Sequence, residues 1–183
     1  GRWHRPVYAG DTLSSTSKVI GLKQNSNGKS GVVYVHTEGK NQNDEAVMDY
    51  VRWVMVRKRD LDAAAPETVI PPLPKVIDPS DLVLPQHLCF ASYDFKRTGE
   101  PHRWGDYNVG EIIDHVDGVT VDDSEHILAT RLWQNTSKVH FDVSQRPDAR
   151  RLVYGGHVIS MARALSFNGL ATAQMIVGLN AGT

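Results

Sequence analysis

Residues 154–169 read Tyr-Gly-Gly-His-Val-Ile-Ser-Met-Ala-Arg-Ala-Leu-Ser-Phe-Asn-Gly. Val158, Met161, Ala162, Leu165 and Gly169 recur at helical spacing, which predicts a helix from Gly156 to about Asn168. Arg163 is its only formally charged residue, so the helix is expected to be largely buried. Downstream, Ala171–Leu179 reads as an apolar strand.

Upstream of the helix, Gln134 to Leu152 keeps neither a helical nor a strand period. An irregular stretch of that length inside a compact domain is usually functional or disordered. It carries Asn135-Thr-Ser-Lys-Val-His140, a carboxamide and an imidazole five residues apart, and then runs into Tyr154-Gly155-Gly156-His157. Backbone N–H groups at a helix start have no intrahelical acceptor and favour developing negative charge. An imidazole that gives or takes a proton near neutral pH, beside such a start, suits chemistry next to a carbonyl. The alternative is structural: His140 caps a loop and the glycines let the helix pack closely.

Farther out, the first sixty residues read as β. Thr12–Leu22 sets Leu13, Val19, Ile20 and Leu22 among Ser and Thr, as in a half-exposed strand. Asn25-Ser-Asn-Gly28 is a hairpin turn, and Gly31–His36 follows as a β-branched run. A polar turn at Asn41–Glu45 leads to Ala46–Val56, completing a three-stranded antiparallel meander. It ends in Arg57-Lys58-Arg59, either a solvated edge or a patch for an anionic ligand. Six of the nine prolines lie between Pro66 and Pro85, so residues 61–102 read as an extended connector. Beyond it, Glu111–Thr120 is an expected strand. A short helix over Asp122–Trp133 follows, loosely capped by Thr120 with Asp123, with Ile127, Leu128 and Leu132 inward.

Composition excludes several classes. The chain holds 20 Lys plus Arg against 21 Asp plus Glu, a balance that argues against a general nucleic-acid binder. Residues 1–60 nevertheless carry +4 and residues 61–183 carry −5, which fits parts built for different surroundings or merely an uneven solvated surface. No apolar run reaches the ~18 residues of a membrane helix, and no charged-then-apolar leader opens the chain, so a cytoplasmic protein is expected. Cys89 is the sole cysteine, and the eight histidines include no HExxH, so no metal site is expected. Asn27-Gly-Lys-Ser30 lacks the first glycine of a phosphate-binding loop, and the Asn135-Thr-Ser137 sequon carries no weight without secretion. An apolar content of 40% is enough for a sizeable core.

Several of these segments resemble MaoC-type hot-dog domains. Arg103-Trp-Gly-Asp-Tyr-Asn-Val-Gly110-Glu looks like the opening strand of that family. Asn135 to His140 falls on its hydratase motif, where an Asp is followed five residues later by His. Leu152-Val-Tyr-Gly155 is similar to the start of its central helix. Arg2-Trp-His-Arg-Pro6 through Gly10-Asp11-Thr12-Leu is similar to the strand that follows that helix, and Asn41-Gln42 through Arg57-Lys58-Arg59 to the closing strands. The resemblance implies an α+β hot-dog fold, an antiparallel sheet wrapped around a central helix, as part of a double hot dog. In this order residues 1–60 look like the back half of one hot-dog domain and 103–183 like the front half of a second, joined by 61–102. The chain is thus expected to be an internal piece of a longer protein, unless its halves pair as one permuted fold.

The resemblance also implies an activity: reversible hydration of a 2-enoyl-CoA thioester, with mesaconyl-CoA as the expected substrate. CoA enters as part of the acyl-CoA substrate, with no other cofactor; a homodimer is implied, and no membrane or nucleic-acid partner. His140 maps onto the acid/base and the Gly155 N–H onto the donor to the enolate oxygen. Asn135 stands where the family has Asp, and an amide can orient a water but cannot take its proton. Tyr154, Gly156 and His157 are expected to line the pocket, with a satisfied buried histidine as the alternative for His157. Arg131, Lys138 and Arg163 are candidates for binding the free carboxylate of a dicarboxylate-type acyl group; solvated surface cations are the alternative for Arg131 and Lys138. The rival activities are a hot-dog thioesterase, which would need a carboxylate where Asn135 stands, and a hot dog that only binds acyl-CoA.

Overall fold

Strand-forming residues between 14 and 57 find partners along nearly their whole length. A computed structural model describes residues 1–86, 88–173 and 175–180 and divides them into two compact units, one of residues 1–90 with 175–180, the other of residues 91–173. In the first unit β1 (Arg2–Trp3), β2 (Ser14–Gln24), β3 (Ser30–Lys40) and β4 (Ala46–Arg57) form one antiparallel sheet in the order β1-β4-β3-β2. Pairing runs from Ser14↔Lys40 to Gln24↔Gly31 and from Ser30↔Arg57 to Lys40↔Ala46, with a bulge at Ile20 between Val19 and Gly21. The Asn25–Gly28 hairpin forms as expected. Gly28 takes φ +66°, and the Asn25 N–H donates to Ser30 O at 2.9 Å. The polar turn forms likewise, closed by the Asn41 N–H on Glu45 O at 3.0 Å.

The proline-rich stretch is irregular apart from a 3-10 turn at Pro79–Asp81 and one bridge, Leu22↔Val69. Its tie to β2 is a reciprocal backbone pair, Leu22 N–H to Val69 O at 2.9 Å and Val69 N–H to Leu22 O at 2.8 Å. The expected strand at Ala171–Leu179 is reduced to a short pairing against the amino terminus. Trp3 N–H donates to Val177 O, Leu179 N–H donates to Gly1 O, and Gly178 bridges Arg2. Residue 174 of that stretch, like residues 181–183, lies outside the described residues.

The second unit holds α1 (Asp123–Leu132), α2 (Gly155–Leu165) and 3-10 turns at Trp104–Asp106, Lys138–His140 and Val143–Gln145. Sheet in one part of the chain and helix in the other is an α+β arrangement. The cap of α1 is Asp122 rather than Thr120: its carboxylate accepts from the Ser124 and Glu125 N–H groups, and Asp123 and Glu125 place negative charge in the first turn.

Three expectations fail here. Residues 111–120 form no strand. A strand is stable only against a ladder partner, and this segment is instead held at its middle and just upstream to the turn after α2, where His115 Nδ1 donates to Asn168 O at 2.6 Å and the Tyr107 hydroxyl to Gly169 O at 2.8 Å. The inward face of α1 is not Ile127, Leu128 and Leu132. Leu128 and Leu132 are exposed and Ile127 half-buried, while His126 and Thr130, four residues apart on the opposite face, are fully buried. Third, α2 buries none of its residues, and Val158 and Ile159 are exposed, because no described residue of this unit forms a sheet to cover it. The core is correspondingly small: among the described residues, Val47 and Ala171 are the fully buried apolar side chains.

Candidate active site

Three segments of the second unit converge: the buried face of α1, the 3-10 turn at Lys138–His140, and the start of α2. The loop between the latter two is fixed by a two-point clamp. The Leu152 N–H donates to Val139 O at 3.1 Å, and His140 Nδ1 lies 2.6 Å from Leu152 O. A carbonyl only accepts, so Nδ1 carries a hydrogen, and in neutral His140 the lone pair is left at Nε2. His140 as a whole is 8% exposed. Arg151 secures the same loop from outside, donating from Nε to Phe141 O at 3.2 Å and pairing with Asp123 of α1. Asp148 is chelated by Arg146 through both carboxylate oxygens, and that hydrogen bonding holds its carboxyl down to about 2.

Imidazoles from each segment then meet. His126 of α1 is 1% exposed and sits 6.1 Å, ring centre to ring centre, from His140 and 6.3 Å from His157 of α2. Tyr154 packs at 6.0 Å from His140, and its backbone N–H donates to His126 Nε2 at 3.1 Å. Burial, then the neighbouring His140 and His157, lower the pKa of His126 from its ordinary value. The Nε2 atom of His157 is buried and has no hydrogen-bond partner among the described residues.

At the start of α2, the Tyr154 carbonyl accepts from the His157 and Val158 N–H groups at 3.0 and 3.2 Å, and Tyr154 supplies no side-chain cap. The N–H groups of Gly155 and Gly156 have no acceptor among the described residues. A Cβ on Gly155 would meet nothing within 4 Å, so close packing does not require glycine at that position. Gly156 differs: a Cβ there would fall 2.7 Å from the Tyr154 ring, and glycine is what lets the ring lie across the first turn.

Of the residues expected from sequence, His140, Tyr154, Gly155, Gly156 and His157 are brought together. Asn135 is half-buried at the mouth of the same loop, with Oδ1 accepting from the Ser137 N–H at 3.1 Å and its own N–H on Thr130 O at 3.0 Å. No hydrogen bond joins it to His140 among the described residues. Lys138 and Arg131 are exposed, the latter with its guanidinium 5.9 Å over the Phe141 ring. Arg163 lies at the opposite end of α2, about 12 Å along the axis from Gly155. Its guanidinium donates to Ser166 Oγ and to Ala173 O, ending the helix. Sequence patterning singles out neither His126 nor Thr130; the available signal is a polar pair four residues apart on a helix otherwise marked by leucines.

The first unit contains a groove of about 650 Å³, lined in part by Arg2, His36, Asp49, Tyr50 and Trp53. Of its three lining carboxylates (Asp49, Asp78 and Asp81), Asp49 is heavily engaged: it accepts from Arg2 Nε at 3.1 Å, His4 Nε2 at 2.5 Å and His36 Nε2 at 3.1 Å, stitching β1, β3 and β4. Among the described residues, no group of three or more His, Cys, Asp and Glu side chains is placed to hold a metal ion. No helix there is long and apolar enough to cross a membrane.

The chain is 69% identical, over its whole length, to mesaconyl-CoA hydratase of Cereibacter sphaeroides and 57% identical to β-methylmalyl-CoA dehydratase of Chloroflexus aurantiacus. It spans 53% of the length of each. Residues 1–50 match the family of the FAS1-like dehydratase domain region. The crystal structure of a MaoC domain protein from Chloroflexus aurantiacus superposes with a TM-score of 0.93 at 56% identity, over 98% of this chain and 52% of that one. A double hot-dog protein of Mycobacterium tuberculosis, 24% identical, shares the fold with a TM-score of 0.56 over 92% of this chain and 51% of that one.

Proposed function

The chain belongs to the MaoC-like hot-dog dehydratase family, and on that premise we propose that it carries the catalytic loop for reversible hydration of a 2-enoyl-CoA thioester, converting mesaconyl-CoA to β-methylmalyl-CoA. The observation that carries this reading is His140: a buried imidazole whose Nδ1–H is held by Leu152 O, next to a helix start with two unaccepted N–H groups.

In the hydration direction His140 Nε2 takes a proton from water as the hydroxyl adds to the β-carbon. Electron density moves onto the thioester oxygen, where the Gly155 N–H receives it. The proton on His140 is then delivered to the α-carbon, and the imidazole returns to its neutral form. Asn135, with Oδ1 committed to the Ser137 N–H, directs its amide hydrogens to the attacking water. The free carboxylate of the acyl group is met by Arg131 or Lys138, the exposed cations flanking the loop, whereas Arg163 is engaged at the far end of α2. Tyr154, Gly156 and His157 shape the pocket wall.

In the same reading residues 1–60 supply strands of one hot-dog domain and 103–183 the first half of a second, with 61–102 between them. The protein works as a homodimer with CoA present only as part of the substrate. A cytoplasmic site fits the exposed, unpaired thiol of Cys89, which a reducing compartment preserves.

The test is an assay of the complete polypeptide with mesaconyl-CoA, following loss of the conjugated-thioester absorbance. Hydration is expected, and His140→Ala should lower turnover at least about a hundredfold with the fold intact. Turnover of crotonyl-CoA but not mesaconyl-CoA would keep the reaction class and remove the substrate. Near-full activity in the His140 variant, or release of free thiol instead of hydration, would overturn the reading.

A further inference from the structure

His126 has no place in the acid/base chemistry, yet it is the most completely buried imidazole of the cluster. Its Nε2 is the acceptor for the backbone N–H of Tyr154, the residue immediately before the oxyanion donor. Resting on the hydratase reading, we infer that His126 is a positioning residue: through the Tyr154 N–H it fixes the peptide that aims the Gly155 N–H, and it works only as a neutral imidazole.

The geometry leaves little alternative for that ring. An acceptor at Nε2 requires the Nδ1–H tautomer, because a protonated imidazole is a donor at both nitrogens and would set two N–H groups against each other. The groups facing His126 oppose its protonation on balance. His140 from the 3-10 turn, His157 from α2 and Arg151 from the loop disfavour a second positive charge; Asp123 of α1 favours it. Burial adds to the former. Thr130 takes no part in this, since its hydroxyl bonds back to His126 O at 2.7 Å within the helix. When His140 carries the proton during turnover, a neutral His126 keeps the helix start in place.

Two substitutions separate this role from plain packing. His126→Leu removes the acceptor and fills the site; His126→Gln restores an acceptor that cannot titrate. In the complete polypeptide His126→Leu is expected to lower kcat about tenfold to a hundredfold with KM nearly unchanged, as a misaimed donor would. His126→Gln should recover kcat to within about threefold, and the acid limb of its kcat profile should lose the component that His126 contributes in the wild type. Nitrogen NMR of the wild-type imidazole supplies a readout that needs no activity, and the Nδ1–H tautomer is expected. Turnover equal to wild type in both variants, equal loss in a folded Gln variant, or a protonated Nε2 at pH 7 would each overturn the inference. A wild-type polypeptide that hydrates neither crotonyl-CoA nor mesaconyl-CoA overturns the hydratase reading, and this role with it, before any variant is made.

Discussion

At the scale of single residues, Asp49 holds three donors with one carboxylate and thereby joins three strands. Burial works to raise its pKa, but hydrogen bonds from His36, His4 and Arg2 together overrule it and leave the carboxyl below its ordinary value of 3.8. A depressed carboxyl contributes stability that is fully present above the unfolded pKa and is lost as pH falls through the folded one. Asp49→Asn should therefore cost about 2 kcal/mol at pH 7. It should also flatten the part of the acid loss below about pH 4 that Asp49 causes. Urea denaturation at pH 7 and from about pH 4 downward reads both; equal slopes for variant and wild type in that acid range would refute the assignment. Little of this network is visible in sequence, because Arg2, His4, His36 and Asp49 meet only once the strand register is set. His140 is the opposite case: its spacing from Asn135 and its distance from the Gly-Gly helix start are legible. His126 is not, since leucines dominate the pattern of α1 and the buried stripe is polar.

Elements were legible where partners are local. Hairpins need only a turn and two neighbouring runs, so β2, β3 and β4 fall close to the expected positions. The segment 111–120 has strand chemistry but finds no ladder, and Ile112 and Val116 stay exposed. For α2 the period gives the helix, but it ends at Leu165 rather than about Asn168, and it starts at Gly155, directly after Tyr154. Its ring covers Gly156 with its flexible far end, so a methyl at Gly156 can be accommodated by swinging the ring away. Alanine also improves helix propensity by up to about 1 kcal/mol. Gly156→Ala is thus expected to leave Tm unchanged or slightly higher while lowering kcat/KM, since the ring that packs beside His140 has moved. A variant with wild-type kcat/KM would show that the Tyr154 ring position is immaterial to the reaction; a large fall in Tm would show that the ring cannot yield.

At the scale of the whole molecule the question is where the apolar surface goes. Apolar residues make up 40% of the chain. Yet Trp53, Val54, Met55 and Val56 at the end of β4 and Val158 and Ile159 on α2 are exposed. Single exposed apolar residues are ordinary, but runs of them on a strand end and on a helix face mark surfaces that other protein covers. The period of α2 is that of a buried helix, and its composition agrees: one charge in eleven residues is the mark of an interior element. What that pattern could not disclose is which segment lies over it. In the proposed double hot dog α2 is the central helix of a domain, and its exposed side faces a sheet. The chain spans about half the length of its curated relatives, so the proposal places these faces in the interior of the complete polypeptide. Met55, 76% exposed here, gives the measurement. Under hydroxyl-radical footprinting of the complete polypeptide, Met55 and the 158–162 segment are expected to react at least about tenfold more slowly than a free methionine or an exposed loop, because burial excludes the reagent. Reaction of Met55 at the rate of free methionine would leave the strand end open to solvent and remove the double hot-dog packing from that part of the molecule.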